Sequence, residues 1–313
     1  MDNNEMTRRV LRTLALAESF ENALTAFSVW RYLVRDHPHS SSQTPKVTLR
    51  EVRETLERLT REGVLIEENG YYTFSDRRGL CEEQLTRLQI ASRKLRRARR
   101  LARLIVRLPY ISGVFADGSL ATGTTKEGSD LDVFIVVKAG RIFLARLIVS
   151  FFTEMLGIRR TTRHIRNRLC LNSFVTEDAL ALPEAFRTLH AAWIRAHMFP
   201  LALRDSDLAN RFWEAQKWIC DFFEEMPEGA LGKGEENDRG QSQPSRDGLA
   251  IANLLERIAK ALQERKIARN PLTRQSGGRI VVNDAMLLFH PGLPEERRRH
   301  LYRERLNQFG IGE

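Results

Sequence analysis

Two carboxylates one residue apart, Asp130 and Asp132, stand at the head of the apolar run Leu131-Asp132-Val133-Phe134-Ile135. Side chains alternate across an extended strand, so both acids project one way while Leu131 and Val133 project the other. Like charges held side by side repel and destabilise the fold unless a proton or a cation neutralises them. Mg²⁺ suits that role, with Mn²⁺ as a substitute, because it takes oxygen ligands and combines one or two carboxylates with substrate phosphate oxygens.

Upstream, Gly118-Ser119 closes a second apolar run, 111–116. Glycine lets the backbone come close to a phosphate, and a serine hydroxyl with its neighbouring amides can donate to phosphate oxygens. If the two runs are adjacent strands, the cradle faces the acid pair, and a triphosphate between them is set for in-line attack. Gly123, Gly128 and Ser129 suit the tight connection, and Lys126 within it is long enough to touch a phosphate. Gly118, Ser119, Ser129 and Lys126 are therefore the candidate nucleotide-binding residues, and Asp130 and Asp132 the candidate metal-binding and catalytic ones. Each piece alone is common: Gly-Ser also makes plain turns, and Asp-x-Asp also caps loops. Their order and spacing between apolar strands are what carry the signal.

The elements that must hold these residues can be read from periodicity. Runs 111–116 and 131–137 are rich in branched residues, as buried strands are. A helix is expected over 141–157 and a further strand over 169–175, after which Thr176 with Glu177 and Asp178 has the form of a helix N-cap and first turn. Helices are expected from there to about Met226.

Before this core, residues 6–78 read as three helices and a two-stranded hairpin. Val10, Leu11, Leu14, Ala15 and Ala17 lie at helical spacing, and a second helix follows Thr25. A Ser- and Pro-rich loop, 37–46, precedes a third helix in which Thr48 and Glu51 form a capping box and Val52, Leu56 and Leu59 a buried stripe. Asn69-Gly70 turns the hairpin. This order resembles a winged helix-turn-helix, whose third helix would enter a DNA major groove. That helix alternates Arg50, Arg53, Arg58 and Arg61 with Glu51, Glu54, Glu57 and Glu62, which nearly cancels the field phosphate binding needs, so a packing or dimerisation role stands beside DNA contact.

Residues 81–108 form one long helical pattern with eight basic side chains from Arg93 to Arg107. It reads either as a solvated face joining two domains or as a phosphate-facing rail beside the site. The stretch 227–248 is polar and Gly-rich and reads as a flexible loop, followed by a helix over 249–268, a short strand over 279–282 and a last basic helix over 294–309. The expected organisation is a winged-helix-like domain (1–80), a basic linker helix (81–110), the core with its following helices (111–226), the loop (227–248) and a helical C-terminal region (249–313).

Bulk properties set the outer limits. A chain of 313 residues has room for about two domains. With 42% hydrophobic and 29% charged residues it is an ordinary globular composition. A net charge of +10 and a pI near 9.9 favour polyanionic partners, nucleic acid among them. Cys81, Cys170 and Cys220 are scattered and odd in number, which suggests neither a disulfide framework nor a zinc site. With no apolar leader at 1–10, and the most apolar stretch, 142–158, interrupted by Arg146 and Glu154, the expectation is a cytoplasmic protein without membrane partners. Composition is silent on oligomeric state.

Taken together, Gly118-Ser119, Ala121-Thr122-Gly123 and Ser129-Asp130-Leu131-Asp132 resemble the signature of the DNA polymerase beta-type nucleotidyltransferase superfamily, above all its minimal stand-alone prokaryotic members, over roughly residues 95–180. The resemblance implies an α+β nucleotidyltransferase-fold mixed sheet flanked by helices. It further implies Gly118 and Ser119 on nucleotide phosphates, Asp130 and Asp132 on divalent metal, a nucleoside triphosphate as substrate, and transfer of its monophosphate to an acceptor. Members with demonstrated activity usually carry a third carboxylate on a later strand, whereas that strand here reads Leu169-Cys170-Leu171-Asn172-Ser173-Phe174-Val175. Glu177 or Asp178 could substitute only if the strand ended early. Two functions therefore stand: an Mg²⁺-dependent transferase, or an inactive core serving as a DNA- or nucleotide-binding regulator. The basic cluster Arg159, Arg160, Arg163, His164, Arg166 and Arg168 reads as a binding loop for acceptor or triphosphate, or as a solvated loop. His290, between Phe289 and Pro291, reads as a packed or exposed side chain.

Overall fold

The computed structural model describes residues 3–36, 47–224, 246–270, 279–290 and 293–312. The loops expected at 37–46 and 227–248 thus lie outside the described residues, except for the last few positions of the second, which open a helix.

The chain begins with α1 (Asn3–Ser19), β1 (Leu24–Thr25), α2 (Ala26–Arg31), α3 (Leu49–Arg61), β2 (Leu65–Glu68) and β3 (Tyr71–Phe74). The three strands form an antiparallel sheet in the order β1-β3-β2. The expected capping box is present: the Glu51 amide donates to Thr48 Oγ1 at 3.3 Å and the Thr48 amide to Glu51 Oε2 at 2.7 Å. Thr48→Ala removes one of these two bonds and is expected to lower unfolding stability by about 1 kcal/mol. A denaturant midpoint unchanged from wild type would contradict it. On the outer face of α3, Arg50, Arg53 and Arg58 pair with Glu54, Glu57 and Glu62 at 2.7, 3.2 and 3.1 Å. These i,i+4 pairs engage the helix arginines with their own neighbours.

After α4 (Gly79–Ile105) come β4 (Ile111–Ala116), α5 (Gly118–Thr122), β5 (Leu131–Val137), α6 (Ile142–Met155), β6 (Leu169–Thr176), α7 (Leu189–Ala196), β7 (Phe199–Leu203), α8 (Asp207–Ala215), α9 (Arg246–Arg269), β8 (Arg279–Val282), β9 (Met286–His290) and α10 (Leu293–Gln308). Six strands form one mixed sheet, β7-β4-β5-β6-β9-β8, in which β5 and β6 are parallel and every other pair is antiparallel. The mixed sheet with flanking helices fits a nucleotidyltransferase fold.

Three expectations are corrected here. The stretch to Met226 is not all helical, because β7 pairs with β4 at the sheet edge. Pro200 hides this strand in the sequence, yet an edge strand tolerates a residue with no N–H. In the C-terminal region β8 falls at the expected 279–282, but it is half of a hairpin whose second strand, β9, was not expected and joins β6 by pairing Ser173 with Leu288. Its apolar run, Met286-Leu287-Leu288, is buried on both faces and so carries no period of two. Lastly, Thr176 is no helix cap. Its amide donates to Ala285 O at 2.9 Å as the end of β6, and Glu177 accepts from Lys138 Nζ and Ser112 Oγ, each at 3.0 Å.

The sheet is packed on both faces. One face, with Val114, Val133 and Ile135, lies under Ala98, Ala102 and Ile105 of α4 and Phe143 and Val149 of α6. On the other, Phe115 and Phe134 meet Phe212 of α8 at ring distances of 4.5 and 5.9 Å, in a core continuous with Trp193 and the N-terminal helices. Each such fully buried aromatic contributes about 1.5–3 kcal/mol. The strand carrying the acid pair is thus clamped between two cores.

Candidate active site

Asp130 and Asp132 reach one side of β5, as the period of two requires. One carboxylate oxygen of each and the Cys170 Sγ all lie within 4.8 Å of one another. Cys170 arrives by register: in the parallel pair β5–β6, Asp132 stands opposite Cys170. A bulge between this pair and the next, Phe134 with Ser173, inserts an extra residue into β6. The cysteine thereby occupies the neighbouring-strand place in which a third acid was sought. Glu177 does not fill it, because its amide donates to Val137 O, five residues and about 16 Å along β5 from Asp132.

The antiparallel pair β4–β5 brings the glycine turn to the acids, with the Asp117 amide donating to Asp132 O at 3.2 Å. Asp117 caps α5, its Oδ1 accepting from the Gly118 amide at 2.8 Å. What the sequence presented as a plain bend is the first turn of a short helix. Gly118 has φ +55°, and a Cβ on it would sit 2.8 Å from Asp132 Oδ2. Glycine is therefore required here both by conformation and by the approach of the carboxylate. Among the described residues the Ser119 hydroxyl has no hydrogen-bond partner, whereas its carbonyl accepts from the Thr124 amide at 3.0 Å and shapes the loop.

Charge is concentrated at this point. Burial first, then Asp130, then Asp117 push the Asp132 carboxyl up to about 7. Burial and Asp132 push the Cys170 thiol up as well. Arg160 offers partial relief: its Nη1 is 2.9 Å from Asp130 Oδ2, outside hydrogen-bond alignment, and donates to Cys170 Sγ at 3.3 Å. Of the basic cluster before β6, only Arg160 reaches the acids; Arg159 pairs with Glu154 and Arg166 with Glu127.

Lys126 and Ser129 are placed otherwise. Lys126 Nζ forms an ion pair with Glu21 of the N-terminal region at 2.7 Å, and Ser129 Oγ accepts from the Lys126 amide at 3.1 Å within the loop. The basic helix α4 braces the same loop, with buried Lys94 donating to Ser129 O at 2.5 Å and Arg93 pairing with Glu127 at 3.2 Å, and it also reaches the loop before β6, where Arg97 donates to Asn167 O at 3.2 Å. Part of the basic run is thus a clamp on the motif loop. His290 is packed, its Nε2 2.9 Å from Ser173 Oγ.

Sequence reasoning did not foresee Asp117, Cys170 and Arg160 converging on the acids. Asp117 had a readable signal, being the cap residue directly before Gly118; the other two depend on strand register and loop path.

A mixed sheet flanked by helices, with an acid pair at the head of an internal strand opposite a glycine that cannot bear a side chain, fits a nucleotidyltransferase-type core. The family described as the nucleotidyltransferase domain matches residues 98–185, which supports membership of this segment in that superfamily and a general nucleotidyl-transfer activity. No curated protein and no solved structure matches the chain. Among the described residues, no helix is long and apolar enough to cross a membrane.

Proposed function

We propose that the protein is an Mg²⁺-dependent nucleotidyltransferase, Mn²⁺ substituting, that joins the nucleoside monophosphate of a nucleoside triphosphate to an acceptor and releases pyrophosphate. The observation that carries this reading is the convergence of Asp130 and Asp132 opposite Gly118. The donor set fits a divalent cation: two adjacent carboxylates, one of them pushed up to about 7 by burial and then by its acidic neighbours, favour an ion that replaces its proton. When bound, the cation supplies charge neutralisation at the transferring phosphate and the departing pyrophosphate. Asp130 and Asp132 hold it, Gly118 leaves room for the triphosphate backbone, and the Ser119 hydroxyl donates to a phosphate oxygen. Lys126 and Ser129 act on the nucleotide indirectly, by fixing the loop that ends at Asp130.

Incubating the protein with each labelled nucleoside triphosphate, Mg²⁺ or Mn²⁺ and total cell extract is expected to label one class of acceptor. Absence of label with all nucleotides and both metals would overturn the reading. A second reading, an inactive core that binds nucleotide as a regulator, is favoured by Cys170 in the third-acid place and by Arg160 on Asp130. Nucleotide binding without transfer would support it.

The charge at Asp132 has a pH signature. Its folded-state value lies above the ordinary 3.8, so the ion-free protein has this stabilising contribution in full below about pH 4 and loses it as the pH rises to about 7. A cation must displace that proton, so apparent Mn²⁺ affinity is expected to weaken by up to about tenfold per unit below pH 7. Equal Mn²⁺-induced thermal shifts at about pH 6 and about pH 8 would contradict this.

A further inference from the structure

We infer that the outer face of α4 docks the phosphate backbone of a nucleic-acid strand. The inference goes beyond the transferase reading and uses no residue of the acid pair or the glycine turn.

Helical spacing divides α4 into two faces. Ala91, Lys94, Ala98, Ala102 and Ile105 recur every three or four residues and are buried. Arg96 and Arg100 recur on the opposite side, exposed, with exposed Arg99 beside them and exposed Arg107 in the turn that ends the helix. No acidic residue occurs from 84 to 116. The contrast with α3 is direct, because there Arg50, Arg53 and Arg58 each pair with a glutamate four residues on. Arg96 has Arg99 and Arg100 at the corresponding spacings, and like charges so placed destabilise a helix. Among the described residues no carboxylate pairs with Arg96, Arg99, Arg100 or Arg107. The face thus keeps several cations uncompensated until a polyanion meets them.

Guanidinium groups pair with phosphate oxygens bidentately. From Arg96 to Arg107 the face extends about 17 Å, over which one strand of a duplex carries about five phosphates. A membrane surface fits less well. Among residues 93–107 the one large apolar side chain exposed is Leu104, so the face lacks the apolar wedge that a membrane-surface helix buries. The position of α4 connects this face to the transferase site. Lys94 is bonded to Ser129 O, next to Asp130, and Arg97 to Asn167 O in the loop whose Arg160 touches Asp130. Exposed Arg163 of that loop continues the positive charge. A strand held along α4 therefore has one end at the acid pair. RNA and DNA share this backbone chemistry.

The test uses the full chain in EDTA, so that the acid pair holds no cation, with labelled oligo(U), oligo(dT) and a duplex, each about 12 nucleotides long. At about 0.1 M salt at least one is expected to bind with Kd of about 10⁻⁴ M or tighter, and log affinity to fall with log salt at a slope of about 3. The probe bound best identifies the strand as RNA, DNA or duplex. The double variant Arg96→Gln with Arg100→Gln is expected to weaken that probe about tenfold or more and to lower the slope by about 1–2. Arg107→Gln, outside the helix, is an independent variant expected to weaken it about threefold or more. Arg50→Gln with Arg53→Gln, the same change in net charge placed on α3, is expected to leave the affinity within about twofold. Four results would each overturn the inference: Kd weaker than about 10⁻⁴ M for all three probes, an unchanged slope in the α4 variants, equal loss in the α3 control, or equal or tighter binding of polyglutamate of matched charge or of phosphatidylserine vesicles. None of them bears on the transferase reading, which label incorporation tests.

Discussion

Asp132→Asn is expected to abolish nucleotidyl transfer, by about a thousandfold or more, while making the ion-free protein more stable at about pH 8 by roughly 1–3 kcal/mol. Both effects come from one cause. Asp132 is crowded by burial, Asp130 and Asp117, so its charge is unfavourable until a cation arrives. Asparagine keeps the shape, removes the repulsion and removes a ligand. The two readouts are label incorporation and the denaturant midpoint in EDTA. Lost activity with a lower midpoint would mean the acid holds the fold together rather than the cation. Full activity would exclude the acid pair from the chemistry.

Gly118→Ala is expected to reduce transfer about a hundredfold and stability by about 1–3 kcal/mol. The added Cβ meets Asp132 Oδ2 at 2.8 Å on a backbone with φ +55°, so either the carboxylate rotates from its place or the turn opens. Misplacing a reacting group by about 1 Å can cost about that factor in rate. Gly63→Ala is the control. It too has positive φ, +77°, but nothing lies within 4 Å of the new Cβ, so stability falls by about 1 kcal/mol and transfer does not change. Similar activity in the two variants would separate the glycine requirement from the acid pair.

The parts of this molecule that were legible in its sequence are those governed by short-range rules. Thr48 and Glu51 announce a capping box three residues apart, and Asn69-Gly70 a hairpin turn. Asp130 and Asp132 share a face because the strand period is two. What stayed hidden depends on partners far along the chain. Cys170 comes beside Asp132 only through a parallel register with a bulge, and no spacing in the sequence encodes that offset. The pattern Thr176-Glu177-Asp178 has the composition of a helix start, yet the Thr176 amide is taken by Ala285, more than a hundred residues later. Pro200 argued against a strand that an edge position tolerates, and the apolar run of β9 had no period to read. Lys126 was judged by its place in the motif loop, while Glu21 of the N-terminal region decides where it points.

The order of strands bears on whether the segment matched by the family could travel alone. Residues 98–185 contain β4, β5 and β6, but the strands that border this trio, β7 and β9, lie at 199–203 and 286–290. Excised at those limits, the segment would bare two apolar rims with unpaired amides and carbonyls, which template aggregation. The flanks are thus selvedges of the same cloth: they close the sheet on both sides, so the matched segment is not a detachable module.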